Sequence, residues 1–238
     1  MLTQTTSGIP HKVWLLFAAG PTLFLVAIVF VSIFLSVRGV SPEQIAQRVP
    51  LLMPHILLGV LLCLGVLTHF ALRAETVWVM PDSKKALADV GFGLLVGVVL
   101  ALAYFKLLAP WLETLQRAVG DYVPPGSVLP TVAGSLGLFF MANVLLAPLV
   151  EEVIYRGYAL PLLNAHLDVT WAVAITCIFF GLLHWPGGVW YMLFTGVVAG
   201  GAFAGLALWR GGILAPFAAH LALNVIEFVY VWRANNQA

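Results

Sequence analysis

The stretch AGSLGLFFMANVLLAPLVEEVIYRGYALPLL, residues 133–163, decides the fold of this chain. It is apolar up to Glu151-Glu152, carries Arg156 one turn later with no turn signal between, and then becomes apolar again. A helix crosses the hydrocarbon core of a bilayer with about 20 predominantly apolar residues. The stretch therefore predicts one long helix, from about Ala133 to about Leu163, that holds two acids and an arginine at bilayer depth.

The rest of the chain has the same membrane-spanning character. Hydrophobic residues make up 62% of the sequence and charged residues 9%, whereas a soluble domain has roughly a quarter charged residues. A mean hydropathy of +1.02 and a net charge of only +1 exclude a soluble enzyme and a nucleic-acid-binding protein with a basic surface. Six more apolar segments predict spans: Val13–Val37, Val49–Leu72, Val90–Phe105, Val169–Trp185, Val189–Leu208 and Ile213–Trp232. The expected fold is an all-α polytopic integral membrane protein with about seven transmembrane helices.

The chain divides into three parts on this interpretation. Residues 1–130 hold the first three helices, residues 131–233 hold a helical core with the last four, and residues 234–238 form a polar tail. Between the third and fourth spans, charged residues at every fourth position predict a short helix on the membrane surface: Glu113, Arg117 and Asp121.

Small residues in the sixth helix predict close helix packing. Gly196-x3-Gly200 and Gly201-x3-Gly205 have the spacing that lets helices approach closely in lipid. We expect a structural role for both pairs.

Polar side chains at bilayer depth are costly and are functional candidates by default. In the second half of the chain we select seven of them as candidates: Glu151, Glu152, Arg156, His184, His220, Asn224 and Glu227. Counting about 1.5 Å per residue along the three helices that carry them brings one carboxylate, two imidazoles and one amide to a common level. That level lies well inside the membrane and nearer the face opposite Asn164–Asp168.

Helical spacing separates the roles of these residues. Glu152 and Arg156 are four positions apart, with the acid first, and are predicted to form a structural ion pair. Glu151 points about 100° away from Glu152 around the helix and has no such local partner, so its carboxylate is free to act on another group. Glu227 lies two turns after His220 on the same face, so it could support the site, but we favour an interfacial position near the end of the helix.

The residue types suggest peptide-bond hydrolysis. A carboxylate with a histidine can deprotonate a water, and an asparagine amide with a second histidine can donate to an oxyanion. Neither a GxSxG elbow nor an HExxH zinc motif is present in the sequence. One glutamate and two histidines could still bind zinc. Two other classes stay open: a transporter that uses intramembrane Glu and His, and a non-catalytic scaffold or immunity protein.

Three motifs and one longer segment resemble a known family. Glu151-Glu152-x3-Arg156, Phe180-x3-His184 and His220-x3-Asn224 resemble the motifs of the CPBP (Abi) family. The segment GLALWRGGILAPFAAH, residues 205–220, resembles the stretch before that family's last motif. The family includes type 2 CAAX prenyl endopeptidases and bacteriocin-processing or immunity proteins, and the resemblance covers about Leu136 to Glu227.

The resemblance implies an intramembrane endopeptidase with assigned site residues. Glu151 and His184 would activate water, while His220 and Asn224 would form the oxyanion site. Glutamate–water chemistry without a metal is expected, and the alternative is a zinc ion bound by Glu151, His184 and His220. The expected substrate is a membrane-embedded or lipidated protein or peptide. The lipid bilayer is the other expected partner, nucleic acid is not one, and a bacterial inner membrane is the expected location.

Overall fold

The computed structural model describes residues 8–73, 75, 77, 83–120 and 135–237. The regular secondary structure of these residues is helical throughout, and it forms seven helices. They are α1 (His11–Val37), α2 (Pro42–Leu72), α3 (Ser83–Ala103, continued by Tyr104–Leu108 and Ala109–Val119), α4 (Leu136–His166), α5 (Val169–Leu183), α6 (Val189–Arg210) and α7 (Leu214–Gln237). All except α5 are long and apolar enough to cross a membrane, and α5 is a shorter apolar helix of 15 residues. The predicted all-α polytopic membrane fold is confirmed.

Local sequence signals set the helix ends. Ser41 caps α2, since its hydroxyl accepts from the Gln44 main-chain N–H while the Gln44 side chain accepts from the Ser41 N–H. Asp168 caps α5 with a single hydrogen bond, in which its carboxylate accepts from the Thr170 N–H. Helix α6 ends at Arg210, and the next residue, Gly211, has a φ of +70°, a left-handed conformation that glycine adopts without strain.

Four π-helical turns interrupt the described helices. They are Tyr104–Leu108, Phe140–Leu146, Val153–Ala159 and Phe194–Ala199. In the first three, a proline stands two residues after the last residue of the turn: Pro110, Pro148 and Pro161. Proline has no N–H, and its ring clashes with the carbonyl four residues before it, so the α-helical hydrogen-bond pattern cannot continue through it. The widened turns lie where this conflict arises.

The distribution of polarity is that of a protein surrounded by lipid. Large apolar side chains are exposed along α1 to α3, for example Phe30 (68%) and Phe70 (63%). Buried polar and charged residues concentrate in α4 and α7: Glu151, Glu152, Arg156, His220, Asn224 and Glu227. Charges buried in a lipid environment are expensive, so their concentration in two helices marks where function is to be sought.

The predicted glycine packing in α6 is half right. A Cβ added at Gly196 would press on the α5 backbone at Cys177 and Gly181, so this glycine allows α5 and α6 to approach closely. Gly200 lies against Phe180 and the Arg156 side chain. The second pair, Gly201 and Gly205, faces open space, and a packing role for it is wrong.

A second glycine pair, not recognised in the sequence, joins α3 to α7. A Cβ at Gly93 would collide with the Ala215 carbonyl, and one at Gly97 with the Ala219 carbonyl. Since α3 packs along α7 through these contacts, it supports the helix that carries His220 and Asn224.

The segment after α3 is helical as predicted, but it is continuous with α3. Ala109–Val119 follows the Tyr104–Leu108 turn directly, and Glu113 and Arg117 are exposed on it. Asp121, the third residue of the predicted series, lies outside the described residues.

Candidate active site

Three helices bring the predicted site residues to one small cavity. Glu151 comes from α4, His184 from the C-terminal end of α5, and His220 and Asn224 from α7. All four line a cavity of about 30 Å³, which is enough for a water molecule. The sequence-based grouping of one carboxylate, two imidazoles and one amide therefore corresponds to a single place in the structure.

Glu151 lies at the centre of this group. Its Oε2 atom is 3.9 Å from Nε2 of His184 and also 3.9 Å from Nε2 of His220. The residue is 4% exposed, and within the described part of the chain Oε2 has no hydrogen-bond partner. Buried polar atoms nearly always have a hydrogen-bond partner, so this oxygen is placed to accept a hydrogen bond from a water or a ligand in the cavity.

Both histidines turn the same ring atom toward Glu151. Nδ1 of His184 is 2.7 Å from the Phe180 carbonyl, and Nδ1 of His220 is 2.9 Å from Oε1 of Glu152. A carbonyl and a carboxylate only accept hydrogen bonds, so each Nδ1 carries the proton. In the neutral form of each ring, Nε2 is then a lone-pair acceptor that faces Glu151.

The predicted pair of Glu152 and Arg156 forms as expected. Nη1 of Arg156 donates to Oε1 of Glu152 at 3.2 Å, both side chains are fully buried, and Nη2 donates to the Gly200 carbonyl at 3.1 Å. The guanidinium also lies over the Phe180 ring, 4.1 Å from its centroid. Glu152 in addition accepts from His220, so the structural pair also orients a site residue, which sequence reasoning missed.

The expectation for Glu227 is wrong. The residue is 5% exposed and lines the small cavity, where it accepts from Asn143 at 3.2 Å and from the Tyr191 hydroxyl at 3.1 Å. Sequence reasoning missed both donors. Asn143 offered a signal, because it is a polar residue in an apolar run and lies eight positions before Glu151, on the same helical face.

A second, larger cavity adjoins the small one. It has a volume of about 470 Å³, and Asn143, Ala147, Glu151, His184 and Tyr191 line both cavities. The other walls come largely from apolar residues of α1 and the first half of α2: Phe24, Ile28, Val49, Pro50, Met53, Pro54 and Leu57. We call the side of Asn164–Asp168 the near face and the opposite side the far face. The large cavity lies in the far half of the bundle.

The same atoms are the ones that could contact a metal ion. Among the described residues no group of three His, Cys, Asp or Glu is arranged as a metal site. The separation of 3.9 Å between Oε2 of Glu151 and each Nε2 is wider than the roughly 3.3 Å between ligands that tetrahedral zinc bonds of 2.0–2.1 Å require. The donor types and the engaged Nδ1 atoms nonetheless fit zinc ligation, given a small inward shift.

Comparison with known proteins identifies one family. Residues 133–226 match the family model described as Type II CAAX prenyl endopeptidase Rce1-like. No curated protein and no solved structure gives a significant match. The matched segment runs through α4, α5, α6 and about the first half of α7, and it contains all four predicted site residues. The helices that build this site are therefore similar to the Rce1-like type II CAAX prenyl endopeptidases.

Proposed function

We propose that this chain is an intramembrane endopeptidase that hydrolyses a peptide bond of a membrane-embedded or lipidated substrate with a water held by Glu151 and His184. One observation carries the proposal. A buried carboxylate oxygen with no hydrogen-bond partner in the described part of the chain faces the lone pair of a histidine across 3.9 Å, in a cavity large enough for water. A water there donates one hydrogen to each group, and its own lone pair is left for attack.

The reaction then follows from proton positions. The water oxygen bonds to the scissile carbonyl carbon while its proton moves to Glu151, with His184 holding the other hydrogen. The tetrahedral intermediate collapses by breaking the C–N bond, and Glu151 returns the proton to the leaving amine. The products are a carboxylic acid, which keeps the second hydrogen of the water, and an amine, so no other reactant is needed.

His220 and Asn224 act on the carbonyl oxygen. Asn224 donates one amide hydrogen to the Asn143 carbonyl at 2.7 Å and has a second hydrogen for the oxyanion. His220 donates its Nδ1 proton to Glu152, so it stabilises the oxyanion from Nε2 only as an imidazolium.

Hydrolysis without a metal predicts that chelators leave activity unchanged. His184→Ala is expected to lower turnover with no change in metal content, because the histidine only holds the water. If zinc were resident, Glu151, His184 and His220 would hold it, and it would supply a Lewis acid that polarises the water. Metal analysis of purified active protein checks this: stoichiometric zinc that is lost in His184→Ala would contradict the metal-free proposal.

The large cavity supports an apolar substrate. Its lining is mainly apolar, and it shares Glu151 and His184 with the small polar cavity. A lipid chain or an apolar peptide segment held there would present a neighbouring peptide bond to the water. The proposed location, a bacterial inner membrane, is tested by membrane fractionation.

The proposed function is tested with Glu151→Gln and a matched control, Glu113→Gln, which changes an exposed glutamate outside the site. Glu151→Gln keeps the size of the side chain but removes the proton acceptor, so cleavage should fall to background while the protein stays folded. Membrane proteomics of cells carrying each variant should find an uncleaved precursor only with Glu151→Gln. A non-catalytic scaffold would tolerate this change, and near-normal cleavage by the folded variant would contradict the assignment.

A further inference from the structure

One main-chain carbonyl in α4 is freed by a proline. In the π-helical turn Phe140–Leu146, the Ala147 N–H donates to the Ala142 carbonyl, five residues before it. By the same spacing, the Asn143 carbonyl would accept from residue 148. That residue is Pro148, which has no N–H. The α-helical donor, four residues after Asn143, would be Ala147, but its N–H binds the Ala142 carbonyl instead. Neither residue therefore donates to the Asn143 carbonyl.

The freed carbonyl binds a residue of the oxyanion site. Nδ2 of Asn224 lies 2.7 Å from the Asn143 oxygen, across the interface of α7 with α4. Since a carbonyl only accepts, it selects the nitrogen end of the Asn224 amide and fixes which way that amide points. The opposite orientation would place Oδ1 where the nitrogen now lies, and the amide would lose both its anchor and its second hydrogen for the oxyanion.

Asn143 is itself held through its side chain. Its Nδ2 donates to Oε2 of Glu227, and Oε1 of Glu227 accepts from the Tyr191 hydroxyl. The Tyr191 ring lies beside His184, with 5.7 Å between the ring centroids. Hydrogen bonds thus connect α4, α6 and α7 around the small and the large cavity.

We propose that Asn143 is a positioning residue for the oxyanion side of the site. Its carbonyl, freed by Pro148, orients the Asn224 amide, and Glu227 with Tyr191 keeps Asn143 in place. This inference rests on the proposed hydrolysis, in which Asn224 contacts the substrate and Asn143 acts through it.

The kinetic test uses Pro148→Ala, which supplies an N–H to compete for the Asn143 carbonyl. We expect kcat to fall about tenfold with KM unchanged, less than the roughly 10²–10³ fall expected when Asn224→Ala removes the donor itself. The double variant should be no slower than Asn224→Ala alone, because both changes act on one donor. Pro110→Ala is the matched control: it is exposed, follows a π-helical turn at the same distance, and should leave kcat unchanged.

The Glu227 part of the network has its own graded test. Glu227→Gln retains the size and one acceptor oxygen, whereas Glu227→Leu retains neither acceptor. We expect a smaller loss of kcat in Glu227→Gln than in Glu227→Leu, with KM unchanged in both. Equal kcat in both variants and the wild type would remove Glu227 from the proposal.

A stability cycle decides the contact without any enzyme assay. If Asn224 binds the freed carbonyl, Asn224→Ala should lower the melting temperature less in the Pro148→Ala background than in the wild type or the Pro110→Ala background. If the wild-type protein cleaved no peptide, the proposed function would be wrong. The melting temperatures would still show whether Asn224 binds the Asn143 carbonyl. The positioning role would be wrong if folded Pro148→Ala kept full kcat and if its effects and those of Asn224→Ala were additive both in kcat and in melting temperature. The proposed hydrolysis would not be affected by that result.

Discussion

At the scale of single residues, two adjacent glutamates do different work. Glu151 faces two histidines across a small cavity, while Glu152 is fully buried against Arg156 and His220. The difference follows from helical geometry, since neighbouring residues point about 100° apart. Glu151 Oε2 is therefore left without a hydrogen-bond partner in the described part of the chain, while Glu152 is paired with Arg156.

This division predicts different responses to mutation. Arg156→Ala would leave Glu152 as a buried charge without its cation, which costs about 3–5 kcal/mol when one partner of a buried pair is removed. Glu151→Gln removes no partner and should hardly change stability. Thermal unfolding in detergent is the measurement, and equal melting temperatures of the two variants would refute the separate roles.

At the scale of helices, close packing depends on which glycines meet a partner. Gly93 and Gly97 of α3 touch the α7 backbone, whereas Gly201 and Gly205 of α6 face open space although they have the same spacing. Spacing alone does not distinguish the two pairs, because the second helix of each contact is set by the tertiary fold. This is why the sequence pointed to α6 and missed α3.

The contrast supplies a matched pair of substitutions. Gly97→Ala puts a methyl group against the Ala219 carbonyl, next to His220, and should destabilise the protein by about 1–3 kcal/mol, as overpacking does. Gly205→Ala meets nothing and should leave stability unchanged or slightly raised, since alanine is the better helix former. Melting temperatures of the two variants give the comparison, and a larger loss in Gly205→Ala would contradict the packing described for α3 and α7.

Sequence reasoning reached most of the helices and the four site residues because both rest on local patterns. Apolar runs mark spans, and polar residues inside them stand out. The hydrogen bonds of Glu227 were out of reach, since its partners Asn143 and Tyr191 lie 84 and 36 positions away in the chain. Spacing within one helix says nothing about such partners.

At the scale of the whole molecule, the N-terminal helices complete the site. The family match covers residues 133–226, yet α1 and α2 supply much of the wall of the large cavity. That wall lies in the far half of the bundle. Helices outside the matched segment are therefore expected to decide which substrates fit.

Water-soluble thiol reagents should reach this cavity from the far face. In a background with Cys63 and Cys177 replaced, Met53→Cys should be labelled from the far side of sealed vesicles. Asp168→Cys, in the loop between α4 and α5, serves as the near-face control. Preferential labelling of Met53→Cys from the near side would contradict the placement of the cavity.

The shortness of α5 affects how water, the second substrate of the proposed hydrolysis, reaches a site inside the lipid bilayer. Its 15 residues reach about 22 Å, whereas the hydrocarbon layer is about 30 Å thick. The chain therefore leaves its helix at His184, below the level of the headgroups, and continues through Trp185–Gly187 as a short 3₁₀ turn. A bilayer accommodates a helix shorter than its hydrocarbon layer by local thinning, among other adjustments. The helix thus ends at His184, the residue that we propose holds the reacting water, so that water has to cross only part of the membrane to reach it.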